Sequence, residues 1–242
     1  MRHNPGAAMV KSNICGGSTM TQTLPKLVTF EQFIEWYPSN GARYELHKGV
    51  IVEMPPPSGE HENVVGFLAA QITLQFLQMG LPFCIPKTAF VKIQSNNSTY
   101  SPDILLLNHD NLVNEPLWSK QSTVIQAASI PLAVEVVSQC VARVPRVEAT
   151  DEPVRVSTNW RDDYYDKFRD YEEMGIPEYW IVDYAAIGGK RFTGNPKQKT
   201  ITICELVEGD YQMTVFRENN FVVSPLFPQL NLTAQQIFDS AL

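Results

Sequence analysis

Two carboxylates stand where buried strands are normally apolar. Asp103 opens the run Ser101-Pro102-Asp103-Ile-Leu-Leu-Leu107, and Glu135 sits inside Pro131-Leu-Ala-Val-Glu135-Val-Val-Ser138. A carboxylate carried into an apolar strand loses hydration that a neighbour must replace, so it is neutralised, paired with a base or bound to a cation. Metal-assisted chemistry is the first reading of two such acids. The structural alternative is that Pro102 starts a strand whose end leaves Asp103 wet, while Glu135 pairs with an arginine. Side chains alternate across a strand, so Ala133, Glu135 and Val137 share one face and Leu132, Val134 and Val136 the other. A basic residue two places after Glu135 would put an ammonium beside the carboxylate at one metal-bound phosphate. Val137 holds that place and cannot do it.

The surrounding pattern alternates helix and strand. Thr29 and Gln32 have capping-box spacing ahead of a short helix ending near Tyr37-Pro38. Residues 43–46 and 50–54 read as a hairpin turning at Gly49, and Ser58, just after the prolines at 55–57, can cap the next element. Near-helical recurrence of Val64, Val65, Phe67, Leu68, Ile72, Leu74, Phe76 and Leu77 predicts a long amphipathic helix over 60–79, stopped by Gly80 and Pro82. Strands are expected at about 83–94, 102–107, 131–138 and 178–183, with a polar turn at 94–99. A helix is expected over 160–175, a hairpin over 199–216 around Glu208-Gly209-Asp210, and a last helix capped by Thr233. The expected fold class is α/β (α+β): a central mixed β-sheet flanked by helices, with additional hairpins.

Composition narrows the chemistry. The chain of 242 residues is 44% hydrophobic and 19% charged, with no run long enough to span a bilayer. Cytoplasmic localisation is expected. Residues 1–19 lack the apolar core of a secretory signal, and 1–27 read as a flexible tail ahead of a single domain over 28–242. Cys15, Cys84, Cys140 and Cys204 make no C-x-x-C pair, and His3, His47, His61 and His109 make no H-x-x-x-H pair. Zinc-site and disulfide readings are therefore weak. The formal charge of −7 argues against a broad phosphate-binding surface, while leaving room for an acidic metal site with local basic contacts.

Taken in order, the segments resemble a known family. Pro102-Asp103, Glu135 in an apolar strand and a later lysine helix resemble the PD-(D/E)XK nuclease superfamily. Tyr44-Glu45-Leu46 with Gly49, Ser101-Pro102-Asp103, Val134-Glu135-Val136-Val137-Ser138, Lys167 with Tyr171, and Gly175-Ile-Pro-Glu-Tyr-Trp-Ile-Val-Asp183 look more closely like the Uma-type putative restriction endonuclease family. The resemblance runs from about residue 28 to the C-terminus and implies a restriction-endonuclease-like fold. It makes Asp103 and Glu135 ligands of Mg²⁺ or Mn²⁺, with the carbonyl of Val136 as a third donor. Glu45 would bind a second metal or act as acid or base, or it is an edge-strand glutamate paired with Arg43 or Lys48. Lys167 would hold the attacking water and offset charge on the phosphate, or it is a solvated lysine pairing with Asp163.

In the family the lysine comes from the following helix, which fits Val137. Tyr164, Lys167 and Tyr171, at i, i+3 and i+7, would share a helix face. His61, Arg161 and Tyr171 are possible substrate contacts; His47 reads as a turn residue and Asp183 as a loop anchor. The implied activity is hydrolysis of DNA phosphodiester bonds, double-stranded DNA being the first choice, by a homodimer, since two strands need two active sites. The alternatives are a catalytically inactive nuclease-fold binding or assembly protein, and a hydrolase of RNA or a small phosphoester. Residues 139–156 carry two prolines and six charges and read as an inserted loop. Both Asp103→Asn and Glu135→Gln are expected to abolish metal binding and to relieve carboxylate repulsion.

Overall fold

The computed structural model describes residues 27–138, 141–143 and 155–242. Residues 1–26 of the tail expected over 1–27 and most of the loop expected over 139–156 lie outside them. In chain order the strands are β1 (Arg43–His47), β2 (Val50–Met54), β3 (Phe83–Cys84), β4 (Phe90–Ile93), β5 (Ser98–Tyr100), β6 (Ile104–Asn108), β7 (Thr123–Val124), β8 (Leu132–Val136), β9 (Val141–Arg143), β10 (Arg155–Thr158), β11 (Glu178–Asp183), β12 (Thr200–Val207) and β13 (Asp210–Phe216). They form two sheets, ordered β10-β9-β2-β1-β5-β4-β7 and β13-β12-β11-β8-β6-β3. Each is mixed: β4 and β7 are parallel in the first, β8 and β11 in the second. The expected single central sheet is thus two sheets, and their packing together makes the site.

Local chemistry explains most of the elements. Thr29 and Gln32 make a complete capping box on helix Phe30–Trp36, and Ser58 caps helix Gly59–Gln78 by accepting from His61 N–H. Lys48-Gly49 and Glu208-Gly209 both have positive φ, the two-residue turn whose twist suits antiparallel strands. The expected strand over 83–94 is broken. Pro86 lacks an N–H for a ladder, and β3 and β4 part into different sheets. Ser98–Tyr100, expected partly as turn, instead pairs with β4. Of the stretch expected as a loop, Val141–Arg143 and Arg155–Thr158 are antiparallel strands at the end of the first sheet.

Strand alternation sorts the core. Leu132, Val134, Val136, Ile104, Leu106, Trp180 and Val182 pack with Val64, Leu68, Ile72 and Phe76 of helix Gly59–Gln78 and with helix Ala234–Asp239. The other face of the same strands gives Leu105, Leu107, Ala133, Val137, Tyr179 and Ile181, which pack with Val91, Ile93 and Tyr100 of the first sheet and with Tyr164 and Tyr171. Glu135 belongs by alternation to this second face, between the sheets. No helix among the described residues is long and apolar enough to cross a membrane.

Glu178 is another buried acid, and its environment is that of a structural clip. Its carboxyl accepts from Trp180 Nε1, Ser224 Oγ at 2.6 Å and Leu226 N at 2.9 Å, tying the start of β11 to the segment before the last helix. Burial pushes its pKa up despite those donors. Glu178→Ala leaves three donors unmatched and is expected to cost about 2–4 kcal/mol of stability, read in a denaturant melt.

Candidate active site

The pairing of β6 with β8 brings the two strand acids together. Ile104 lies opposite Val134 and Leu105 opposite Ala133, so the same register sets Asp103 opposite Glu135. The next contacts come through the backbone. Val136 N–H donates to Asp103 Oδ2 at 2.9 Å, and the Val136 carbonyl lies 3.1 Å from His61 Nε2, which is 3.3 Å from the same Asp103 oxygen. Arg43 Nη2 stands 3.9 Å from Asp103 Oδ1 on the exposed side.

Glu135 turns to the helical segment instead. Its Oε1 is 2.9 Å from Lys167 Nζ and accepts from Tyr171 Oη at 3.3 Å. Lys167 is also 3.4 Å from Glu45 Oε1 and 3.6 Å from Asp163 Oδ1. Glu45, Glu135, Asp163 and Lys167 are at most 2% exposed. The backbone that presents them is unusual: an α-turn at Asn159–Arg161 runs into a π-helical segment, Asp162–Lys167, before regular helix returns over Phe168–Met174 and ends at Gly175 with φ +89°. Wide π-turns redirect side chains and recur at functional sites. Here Asp163, Lys167 and Tyr171 point into the cluster, while Tyr164 stacks on Phe192 at 4.2 Å. The regular-helix expectation of one face shared by Tyr164, Lys167 and Tyr171 fails for that reason.

One ammonium cannot neutralise three buried carboxylates. Glu45 has the most help: Ser101 N–H donates to it at 2.9 Å and His47 Nε2 lies 2.8 Å away. Burial alone would raise its pKa, but Lys167, His47 and Ser101 outweigh that and hold it at about 2. Burial wins at Glu135 and Asp163, whose pKa values are pushed well above the carboxylate range, with neighbouring acids adding to the shift against Lys167. Asp103 goes down despite its burial, because His61 and the Val136 N–H favour its charged form. Burial opposes the charge on Lys167, yet its three acidic neighbours raise its pKa well above the ordinary lysine value.

Several sequence readings change. Glu45 is not an edge-strand residue, because β1 lies between β2 and β5. Lys167 is buried rather than solvated. His47 ends β1 and holds Glu45, where it was expected only to serve the turn. Tyr171 is fully buried beneath Glu135, so it supports that carboxylate and cannot be a substrate contact. Arg161 is exposed, its guanidinium 5.2 Å from the ring centre of Trp160, and among the described residues no ion pair or hydrogen bond joins it to the cluster. Asp183 does anchor a loop, accepting from Ile187 N and Gly188 N; a Cβ at Gly188 would stand 2.8 Å from that carboxylate. Asp163 and Arg43 were missed as site residues. Asp163 gave one sequence signal, its position four residues before Lys167, but only the π-turn buries it.

The donor chemistry fits a hard divalent cation. Among the described residues no three His, Cys, Asp or Glu side chains converge on one point. Asp103 and the Val136 carbonyl do lie together, and Glu135 stands across the strand pair, held by a lysine whose charge serves the acids. Asp163, fully buried, has no hydrogen-bond partner on either oxygen among the described residues. Such a set has more negative charge than its own lysine offsets.

Against known families, a model described as "Uma2: Putative restriction endonuclease" matches residues 30–143 and 156–235. The chain belongs to the Uma2 family. Between the two matched parts, residues 144–155 lie outside the match. Among solved structures, one described as the crystal structure of a "putative nuclease belonging to DUF820" from Anabaena variabilis aligns with a TM-score of 0.61 at 14% identity, covering 89% of this chain and 99% of that one. At that identity the likeness shows the fold. No curated protein matches the chain.

Proposed function

We propose that this Uma2 protein is a Mg²⁺- or Mn²⁺-dependent endonuclease that hydrolyses DNA phosphodiester bonds. The observation that supports it most is the opposition of Asp103 and Glu135 across β6 and β8, with the Val136 carbonyl beside Asp103 and Lys167 beside Glu135. Asp103, Glu135 and the Val136 carbonyl would hold the cation, Glu135 turning from Lys167 to do so. When bound, the cation supplies Lewis-acid polarisation of a phosphoryl oxygen and a lowered water pKa.

The remaining steps belong to the chain. Asp103 is kept ionised and in one rotamer by the Val136 N–H and His61. Lys167, kept charged by Glu135, Glu45 and Asp163, would orient the attacking water and offset charge developing on the phosphate. Tyr171 supports Glu135 from below. Arg43, its side chain 43% exposed beside Asp103, is the cation at the mouth that meets the DNA backbone. Arg43→Ala is expected to weaken DNA binding about equally across sequences and to lower the salt slope by about one, with Mn²⁺ still bound in calorimetry at least as tightly as by the parent. Cutting both strands calls for two sites, and a homodimer would supply them.

The test is Mn²⁺ calorimetry followed by incubation with supercoiled DNA, single-stranded DNA, RNA and a small phosphodiester. Metal binding and metal-dependent nicking of DNA are the expected results. A second reading has its own support, since Lys167 already compensates part of the buried charge as it would in a catalytically inactive nuclease-fold binding or assembly protein. Absence of both metal binding and cleavage would favour that reading, and cleavage of RNA or the phosphodiester alone would change the substrate.

A further inference from the structure

We propose that His61 is itself a ligand of the cation, through Nε2, with Glu62 holding the ring in the required tautomer, and that the centre therefore takes Mn²⁺ in preference to Mg²⁺. This rests on the metal-dependent reading above and adds a nitrogen donor to it.

Spacing is the first argument. Nε2 of His61 stands 3.1 Å from the Val136 carbonyl oxygen and 3.3 Å from Asp103 Oδ2. Two atoms each ~2.1 Å from one ion at right angles are about 3 Å apart. Both pairs therefore already have the spacing of neighbouring ligands on one ion. Both oxygens are also acceptors, so in the metal-free protein Nε2 serves them with a single shared proton. A divalent cation bound by Nε2, Oδ2 and the carbonyl takes that proton's place and satisfies all three atoms.

The other side of the ring meets the second requirement. A metal-bound imidazole keeps its proton on the distal nitrogen, usually against a carboxylate or carbonyl. Glu62 Oε1 lies 3.2 Å from Nδ1 and accepts that proton, leaving the Nε2 lone pair facing Asp103. The backbone is fixed too: His61 lies in the first turn of helix Gly59–Gln78, its N–H donating to Ser58 Oγ, and the residue is 3% exposed. It is thus held inside the site rather than free to sample solvent. An imidazole among oxygen donors favours Mn²⁺ over Mg²⁺, which binds oxygen almost exclusively.

The test is pulsed electron paramagnetic resonance of Mn²⁺ bound to the full chain, prepared with natural-abundance and with ¹⁵N-labelled histidine. The parent protein is expected to show a directly bound histidine nitrogen, its signal changing with the label and vanishing in His61→Gln. Calorimetry is expected to give about a 10–100-fold loss of Mn²⁺ affinity in His61→Gln, with a smaller loss in Glu62→Ala, and about threefold or less loss for Mg²⁺. Mn²⁺ bound by the parent without a histidine nitrogen would overturn the proposal while leaving the metal site standing, with His61 merely orienting Asp103. Binding of Mg²⁺ without Mn²⁺ would overturn this inference alone, and binding of neither ion by the parent would remove the metal-dependent reading and this inference together. The labelled parent gives the deciding signal even if the variants fold poorly.

Discussion

Lys167→Met is expected to lower the melting temperature of the metal-free protein by roughly 10 °C, from a loss of about 3–5 kcal/mol. The substitution keeps most of the volume and removes the one charge that Glu45, Glu135 and Asp163 share. Its dependence on pH has a definite sign. Glu135 and Asp163 have raised pKa values in the folded protein, so the native state binds more protons than the unfolded state above the ordinary carboxylate range. Their contribution to stability is present below that range and falls as pH rises. Glu45, held at about 2, contributes stability above the ordinary range that is lost as pH falls toward that value. The raised pKa of Lys167 contributes stability present below the ordinary lysine value and lost above the folded one. Without Lys167 the buried Glu135 and Asp163 lose their favourable charge partner and favour protonation still more, so the variant should recover stability relative to the parent between pH 8 and pH 5.5. Mn²⁺ should also restore part of it, and DNA cleavage should fall about a hundredfold or more. A variant that melts with the parent at pH 8 would show that Lys167 does not compensate the buried acids.

Asp103→Asn and Glu135→Gln are expected to agree in function and to differ in stability. Each removes a charged donor of the proposed cation, so Mn²⁺ binding should be lost and nicking reduced by about 10³-fold, the scale of several kcal/mol of transition-state stabilisation. From the sequence both should relieve carboxylate repulsion, and the structure separates them. Asp103 is better placed charged than neutral, between His61 and the Val136 N–H, so Asn should cost the metal-free protein about 1–2 kcal/mol. Glu135 is held in a setting that favours its neutral form, which Gln imitates, so that variant should melt at or above the parent. Melts with chelator measure the stability difference and calorimetry measures the metal. Shifts of the same sign would mean that the charge distribution derived for the cluster is wrong.

Much of the fold was legible because its signals are local. The capping boxes at Thr29 and Thr233, the Ser58 cap, the turns at Gly49 and Gly209 and the helical periodicity of Val64, Leu68, Ile72 and Phe76 all lie within a few neighbouring residues, and the structure has each one. The π-turn at Asp162–Lys167 has no such signature, and it decides where Asp163, Tyr164 and Lys167 point. The division of the strands between two sheets was equally hidden, since it depends on partners far apart in the chain.

That Asp103 and Glu135 need a countercharge is written in the sequence, because an apolar strand offers a carboxylate no water, and the ordered segments around them carry the family. The source of that charge is a matter of tertiary structure. Register set Asp103 against Glu135, sheet packing brought Glu45 to Lys167, and the Gly59–Gln78 helix carried His61 to Asp103 and the Val136 carbonyl. Contacts of this kind span 42 residues between His61 and Asp103 and 75 between His61 and Val136. No local pattern encodes them, because the free energy that selects them comes from burying whole faces of strand and helix together.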